Sequence, residues 1–162
     1  LADGTPVPLD EQQRKLWNTA QIEEGVGLLS HTLGTTPVGV YQVQAAIAAV
    51  HDEAPTAEAT DWPQILALYE VLERLSPGAV VTLNKAVALA MVDGPQAGLE
   101  LLATIDDDES MAHTHRLDAV RAHLLELAGD VDAARASYRR AAKLTRSVPE
   151  QRYLALRAAR LA

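Results

Sequence analysis

Apolar residues recur along this chain at steps of three and four, the spacing that gathers one side of an α-helix. Ile65, Leu68, Leu72 and Leu75 form one such stripe, and Val80, Leu83, Val87 and Met91 form the next. Ser76-Pro77-Gly78 separates the two and stops the first helix. Asp61 is placed to start it, with Gln64 three positions on and Pro63 in a first turn that has no intrahelical donor to lose. The second helix ends at Asp93-Gly94, and Pro95 opens another.

The same pattern runs in both directions from this stretch. Residues 1–9, with Gly4, Pro6 and Pro8, read as an extended lead-in. Asp10 and Gln13 carry a capping-box signature, with Leu9 placed as a staple, and predict a helix over 10–34. That helix presents Leu16, Trp17, Ala20, Ile22, Val26, Leu29 and Leu33, while Gly25 and Gly27 permit a bend or a close contact. After a turn from Gly34 to Gly39, the stripe Val40, Val43, Ile47 and Val50 leads to a polar loop from His51 to Thr60. Downstream, Gly98, Leu102 and Ile105 predict a short helix, and Leu117, Val120, Leu124 and Leu127 predict another closed by Gly129. Asp130 caps a helix with Ala134, Tyr138 and Ala141 inward, and Pro149 opens a last one through Tyr153, Leu156 and Leu161.

Short turns between these helices imply antiparallel pairs, and the pairs resemble one another. Ala122, Leu125, Gly129, Ala134, Tyr138 and Ala141 have the alternation of small and large residues with which tetratricopeptide units nest two helices. Ala86, Leu89, Gly98, Leu102 and Ile105 stand at equivalent places 36 residues earlier, with Gly94 one residue out of step. Ile65, Tyr69, Leu72 and Pro77 match the second half of a further unit. The expectation is an all-α fold of about eight helices, antiparallel pairs in a degenerate tetratricopeptide-like right-handed array; an ordinary helical bundle is the alternative. One domain over 1–162 is expected, with repeat-like pairs at 38–76, 79–105 and 111–145 and a capping helix at 149–162.

Composition changes this picture in three ways. The absence of cysteine excludes disulfides, thiol catalysis and thiolate metal sites, and fits a reducing, cytoplasmic setting. No apolar run is long enough to span a bilayer and no leader pattern is present, while a start at Leu1 suggests a piece of a longer protein. The net charge of -8 argues against nucleic-acid binding by this chain, yet the charge is segregated. Residues 131–162 hold Arg135, Arg139, Arg140, Lys143, Arg146, Arg152, Arg157 and Arg160 against Asp132 and Glu150, a surplus of +6, which leaves -14 on residues 1–130. This is either a solvated basic face or a docking patch.

Three stretches carry a resemblance: YQVQAAIAAVH (41–51), TDWPQILALYEVLERLSP (60–77) and VVTLNKAVALAMVDGPQAGL (80–99). With LDEQQRKLWNTAQIEEGVGLL (9–29) and the last helix pair, they make nearly the whole chain similar to the C-terminal tetratricopeptide-like extension of a group of extracytoplasmic-function (ECF) RNA polymerase sigma factors. The promoter-reading domains that precede that extension in the family are absent from this chain. The resemblance implies a regulatory, protein-interaction module in a protein of transcription initiation. Its partners would be its own N-terminal sigma domains, core RNA polymerase or a regulatory protein, with DNA contacted by the absent domains and no membrane involved. Lys85 stands where arginine is usual in the family, and the repeats are irregular.

The candidate interaction surface follows from the repeat reading. Asn84 and Lys85 lie on the first helix of a unit, which lines the concave face of such arrays; an amide there can hold a peptide backbone and a lysine can meet a carboxylate. Tyr41, Gln42 and Gln44 begin the preceding first helix and extend that surface, and Asp61 and Trp62 adjoin it. Asn84 and Gln44 are equally suited to internal hydrogen bonds, and Trp62 and Tyr69 to a core. His113 and His115 point to different faces and do not suit a shared metal, Asp106–Glu109 lacks the ligand alternation of a calcium loop, and His51 with Asp52 and Glu53 has no nucleophile beside it. No catalytic residue, metal or cofactor is expected. A small-molecule sensor built around Tyr41, Trp62 and Asn84, a stand-alone scaffold and a homodimer remain alternatives.

Overall fold

The computed structural model describes residues 6–161, apart from the Asp10 side chain. Among these residues there are eight α-helices, two 3-10 turns and no strand. The helices are α1 (Thr19–Thr35), α2 (Val40–Glu53), α3 (Trp62–Leu75), α4 (Ala79–Asp93), α5 (Pro95–Ala103), α6 (Arg116–Leu127), α7 (Val131–Leu144) and α8 (Val148–Arg160). The all-α expectation holds, and consecutive helices pack in pairs across short turns. The contacts gather into two compact units, Val7–Pro77 and the stretch from Gly78 onward, a finer division than the one domain read from the sequence.

In the first unit α2 packs against both α1 and α3. Asp61 caps α3 as expected, accepting from the Gln64 N–H at 2.9 Å, and Ile65 and Leu72 are buried. On α2 the inward face is Val43, Ile47 and Val50. The expected helix over 10–34 is corrected: α1 begins only at Thr19, where the Asn18 side chain accepts from the Gln21 N–H at 3.3 Å. The residues before it form the turns Leu9–Glu11 and Arg14–Leu16 instead. Long-range hydrogen bonds from Arg14 to the end of α2 replace the intrahelical ones there. The proposed Asp10 cap lies outside the described side chains.

In the second unit α4 pairs with α5, α6 with α7, and α8 packs on α7. The first helices of the two pairs, α4 and α6, also touch, which is the arrangement of a helical-repeat array. The inward face of α4 departs from the sequence reading. Ala79, Leu83, Ala86, Ala88 and Ala90 are buried, whereas Val80 and Met91 are exposed. Gly98 of α5 explains the choice. A methyl group built there would stand 2.6 Å from the Ala86 carbonyl oxygen, 2.7 Å from Ala90 Cβ and 2.8 Å from Leu124 Cδ1. Helices this close meet across small residues, so Ala86 and Ala90 turn inward beside Leu83 while Val80 and Met91 turn out. Leu102, Ile105, Met111, Leu117 and Leu124 complete that core.

Gly94 and Gly129 follow α4 and α6 with φ of 94° and 82°, a left-handed conformation that favours glycine. Asp130 caps α7 through the Ala133 N–H at 3.1 Å. A second core unites Ala122, Tyr138, Ala141, Ala142, Leu154 and Ala158. Here too the stripe shifts, since Leu154 and Ala158 face inward and Leu156 is exposed.

Candidate interaction sites

The first unit carries an open groove of about 420 Å³ between α1 and α2. Ile22, Gly25, Val26 and Leu29 line it from α1, and Ala45, Ala48, Ala49 and Asp52 line it from α2. Trp17, Asn18 and Gln21 stand at the α1 N-terminus. None of the 17 residues of α1 is buried, so this helix covers α2 without being covered itself. Leu28 is 63% exposed and Tyr41, on α2, 85%.

One end of the groove is built around Arg14, a residue that the sequence reading did not single out. Its guanidinium donates to the carbonyl oxygens of His51 and Ala54 at 2.5 Å each and to Thr60 Oγ1 at 3.4 Å. These are carbonyls left without intrahelical donors at the end of α2, and a cation there also opposes the negative end of the helix dipole. The guanidinium lies 5.0 Å from the centre of the Trp17 ring, holding the indole beside the groove. His51 meets Trp62 edge to face at 5.2 Å. Burial, followed by the neighbouring Arg14 charge, lowers the His51 pKa against a smaller opposing effect of Asp52. Arg14 Nε and His51 Nδ1 are buried without hydrogen-bond partners.

The second unit has a polar staple of another kind. Glu126 on α6 accepts from Tyr138 Oη at 2.7 Å and from Arg157 on α8 at 2.6 Å, and Arg157 lies 5.8 Å from the Tyr138 ring centre. One carboxylate thus ties three helices together. Burial opposes ionisation of Glu126, but the hydrogen bonds from Arg157 and Tyr138 outweigh it and hold the carboxyl below its usual range. Burial first, and then the bond to Glu126, pushes the Tyr138 phenol up. His115 meets Glu150 at 3.3 Å, and Thr145 donates to the same carboxylate at 2.7 Å. His113 is exposed. Among the described residues no group of three His, Asp or Glu side chains is arranged to hold a metal.

The sequence-selected residues fall into engaged and open sets. Gln42 is engaged at the start of α2, accepting from the Gly39 N–H at 2.6 Å and donating to Thr36 Oγ1 at 2.7 Å. Asp61 is a helix cap, Trp62 is half-buried against His51, and Lys85 is half-buried and already engaged with a neighbour. Tyr41, Gln44 and Asn84 are exposed. Tyr41, Gln42, Gln44, Asp61 and Trp62 share the first unit, whereas Asn84 and Lys85 belong to the second.

The basic set divides similarly. Arg135 bonds Asp132 and the Leu161 carbonyl, Arg140 bonds Asp118 and Ser137, and Arg157 bonds Glu126. Arg139, Lys143, Arg146, Arg152 and Arg160 are exposed, with no ion pair among the described residues. The eight-residue patch is thus five open cations and three that hold the last helices in place. Arg121 is likewise paired, with Asp106 and Asp118.

The chain is 37% identical over 161 residues to an uncharacterized protein of Rhizobium meliloti (strain 1021). That match takes in 99% of this chain and 38% of the relative's length. No family model matches the chain. No solved structure matches it. Among the described residues no helix is long and apolar enough to cross a membrane.

Proposed function

We propose that this chain is the C-terminal regulatory and protein-interaction module of an ECF-type RNA polymerase sigma factor, acting in the cytoplasm on transcription initiation. The observation that carries the reading is the resemblance of residues 41–51, 60–77 and 80–99 to that extension. These stretches correspond to most of α2, α3 and α4 with the opening of α5. The all-helical, repeat-like build supports it, because such arrays present extended surfaces to other proteins. So does the relative, in which a sequence like this one is a minor part of a longer protein.

In this reading the chain is not an enzyme and has no cofactor. It binds its own sigma domains, core RNA polymerase or a regulatory protein, and the DNA is read elsewhere. The test is transcription in vitro by core polymerase with the full-length protein and with a version lacking this module. Promoter-dependent transcription that changes on deletion supports the reading. Transcription identical under every condition, with no capture of core polymerase or sigma domains by this chain, overturns it.

A further inference from the structure

We propose that the groove between α1 and α2 is a docking site for a basic amphipathic helix of a partner protein, with apolar side chains seated along the Gly25–Leu29 and Ala45–Ala49 walls and a cation at the Asp52 end. The inference rests on the reading of the chain as an interaction module and on nothing about transcription.

Shape comes first. Gln21, Gly25, Ala45 and Ala48 line the groove and are themselves exposed, so it is an open trough and not an enclosing cavity. A small ligand would remain largely in water there, whereas a helix can lie along it. Gly25, Ala45, Ala48 and Ala49 offer no side chain beyond a methyl, which leaves room for the bulky side chains of an incoming helix. Ile22, Val26 and Leu29 are only half-buried and supply apolar surface that such a helix would remove from water.

Charge then selects the occupant. The unit Val7–Pro77 holds three cations, Arg14, Lys15 and Arg74, against ten carboxylates, a net charge of -7. Arg14 is turned onto the α2 carbonyls. The groove's charged lining residue is Asp52, which is exposed, and Glu23, Glu24 and Glu53 are exposed on the same two helices. An acidic helix would meet repulsion from Asp52 and from the unit's net negative charge. A basic one gains steering and a carboxylate to pair with.

The test titrates the 162-residue chain with a synthetic helix carrying leucine at i, i+3, i+4 and i+7 and lysine elsewhere, followed by calorimetry and tryptophan fluorescence. A counterpart with glutamate in place of lysine is the control. One-to-one binding of the lysine helix is expected, about tenfold or more tighter than the glutamate helix. Ala48→Leu fills the trough without changing any charge, and Gly25→Leu does the same where an added Cβ meets nothing within 4 Å. Each should weaken binding about tenfold or more, and Asp52→Asn about threefold. Unchanged circular dichroism and melting establish that the variants fold.

Wild-type affinity in both filled variants would show mere attraction to an acidic surface and overturn the proposal. Equal affinity for the glutamate helix would do the same. Self-association of the chain that Ala48→Leu abolishes would make a second copy the occupant, and also overturns it. Capture of sigma domains or core polymerase serves as a separate readout. Capture that survives Ala48→Leu sinks the groove and spares the module reading. Peptide binding without capture supports the groove and counts against the sigma-factor reading.

Discussion

The two units bury their helices to different depths, and the difference separates scaffold from surface. From Gly78 onward, α4, α5 and α6 meet so closely that a hydrogen atom is the only side chain with room at Gly98, and Ala86, Ala122, Leu124, Ala134 and Ala141 are wholly withdrawn from water. In Val7–Pro77 the first α-helix buries nothing, and its Ile22, Val26 and Leu29 border a trough. A closely packed region has few ways to rearrange. A helix covered on one side keeps an apolar face available for another chain, at the cost of contributing less to its own unit's stability.

The sharpest way to break this comparison is Gly98→Val. The Cβ alone must displace the Ala86 backbone oxygen, which is not the tip of a flexible side chain, and the branch adds two more methyl groups. Overpacking of this kind costs about 3 kcal/mol or more. Chemical denaturation should show the loss, and a variant as stable as the parent would mean that α4 and α5 are not clamped at this point.

Next in size is Arg157→Met, which takes the hydrogen-bonded cation from Glu126 and leaves it the Tyr138 hydroxyl and the weaker influence of His123. Removing one partner of a partly buried charged hydrogen bond costs about 1–3 kcal/mol, and the side chains of Arg157 and Glu126 are 16% and 26% exposed. The same carboxylate gives a pH signature. Its pKa is lower in the folded chain than in the unfolded one, so its contribution is present above the usual glutamate range and is lost as pH falls through the folded value. Glu126→Gln should flatten the acid limb of a stability profile, and an unchanged limb would remove the staple from the account.

Arg14→Ala probes the first unit. It strips two helix-end carbonyls and Thr60 of a donor and should cost about 1–2 kcal/mol, with altered Trp17 fluorescence because the guanidinium no longer flanks that ring. His51 supplies the matching pH test. A histidine whose folded pKa is depressed contributes fully above its unfolded value, and stability falls as pH drops through the histidine range. The first unit should therefore loosen at a milder pH than that at which the Glu126 staple fails, and His51→Gln should remove that early step. A single transition in the carboxylate range alone would contradict this.

Which parts of this were legible beforehand follows from the range of the interactions. Caps such as Asp61 and Asp130 are local, since the accepting side chain and the backbone N–H that donates to it lie within three residues, and both were readable. The stripe Val43, Ile47 and Val50 was readable because its partners are ordinary helices at ordinary distance. On α4 the stripe Val80, Leu83, Val87 and Met91 suggested one face, of which Leu83 is buried, but Gly98 on another helix allows an approach at which alanine is the better core residue for the rest. Arg14 was missed for the same kind of reason. Its carbonyl partners lie 37 and 40 residues away, and nothing near it in sequence marks it. Of the residues chosen as an interaction surface, Gln42 proved to be a helix-start device and Asp61 is the cap it was read to be, while much of the groove wall is alanine, glycine and aliphatic side chains that carry no chemical signal.

The smallest effect is the one that most directly tests α1 as an uncovered helix. Leu28 is 63% exposed and lies on a helix with no buried residue, so Leu28→Ala should change stability by no more than about 0.5 kcal/mol. Leu154→Ala, on the inward face of α8 at 3% exposure, should cost about 2–5 kcal/mol by the same measurement. The contrast matters more than either value, because both substitutions delete the same atoms from a leucine on a surface-facing element. If Leu28→Ala destabilised the chain as Leu154→Ala does, α1 would have to be covered in solution, and its apolar face would belong to a core and not to a partner.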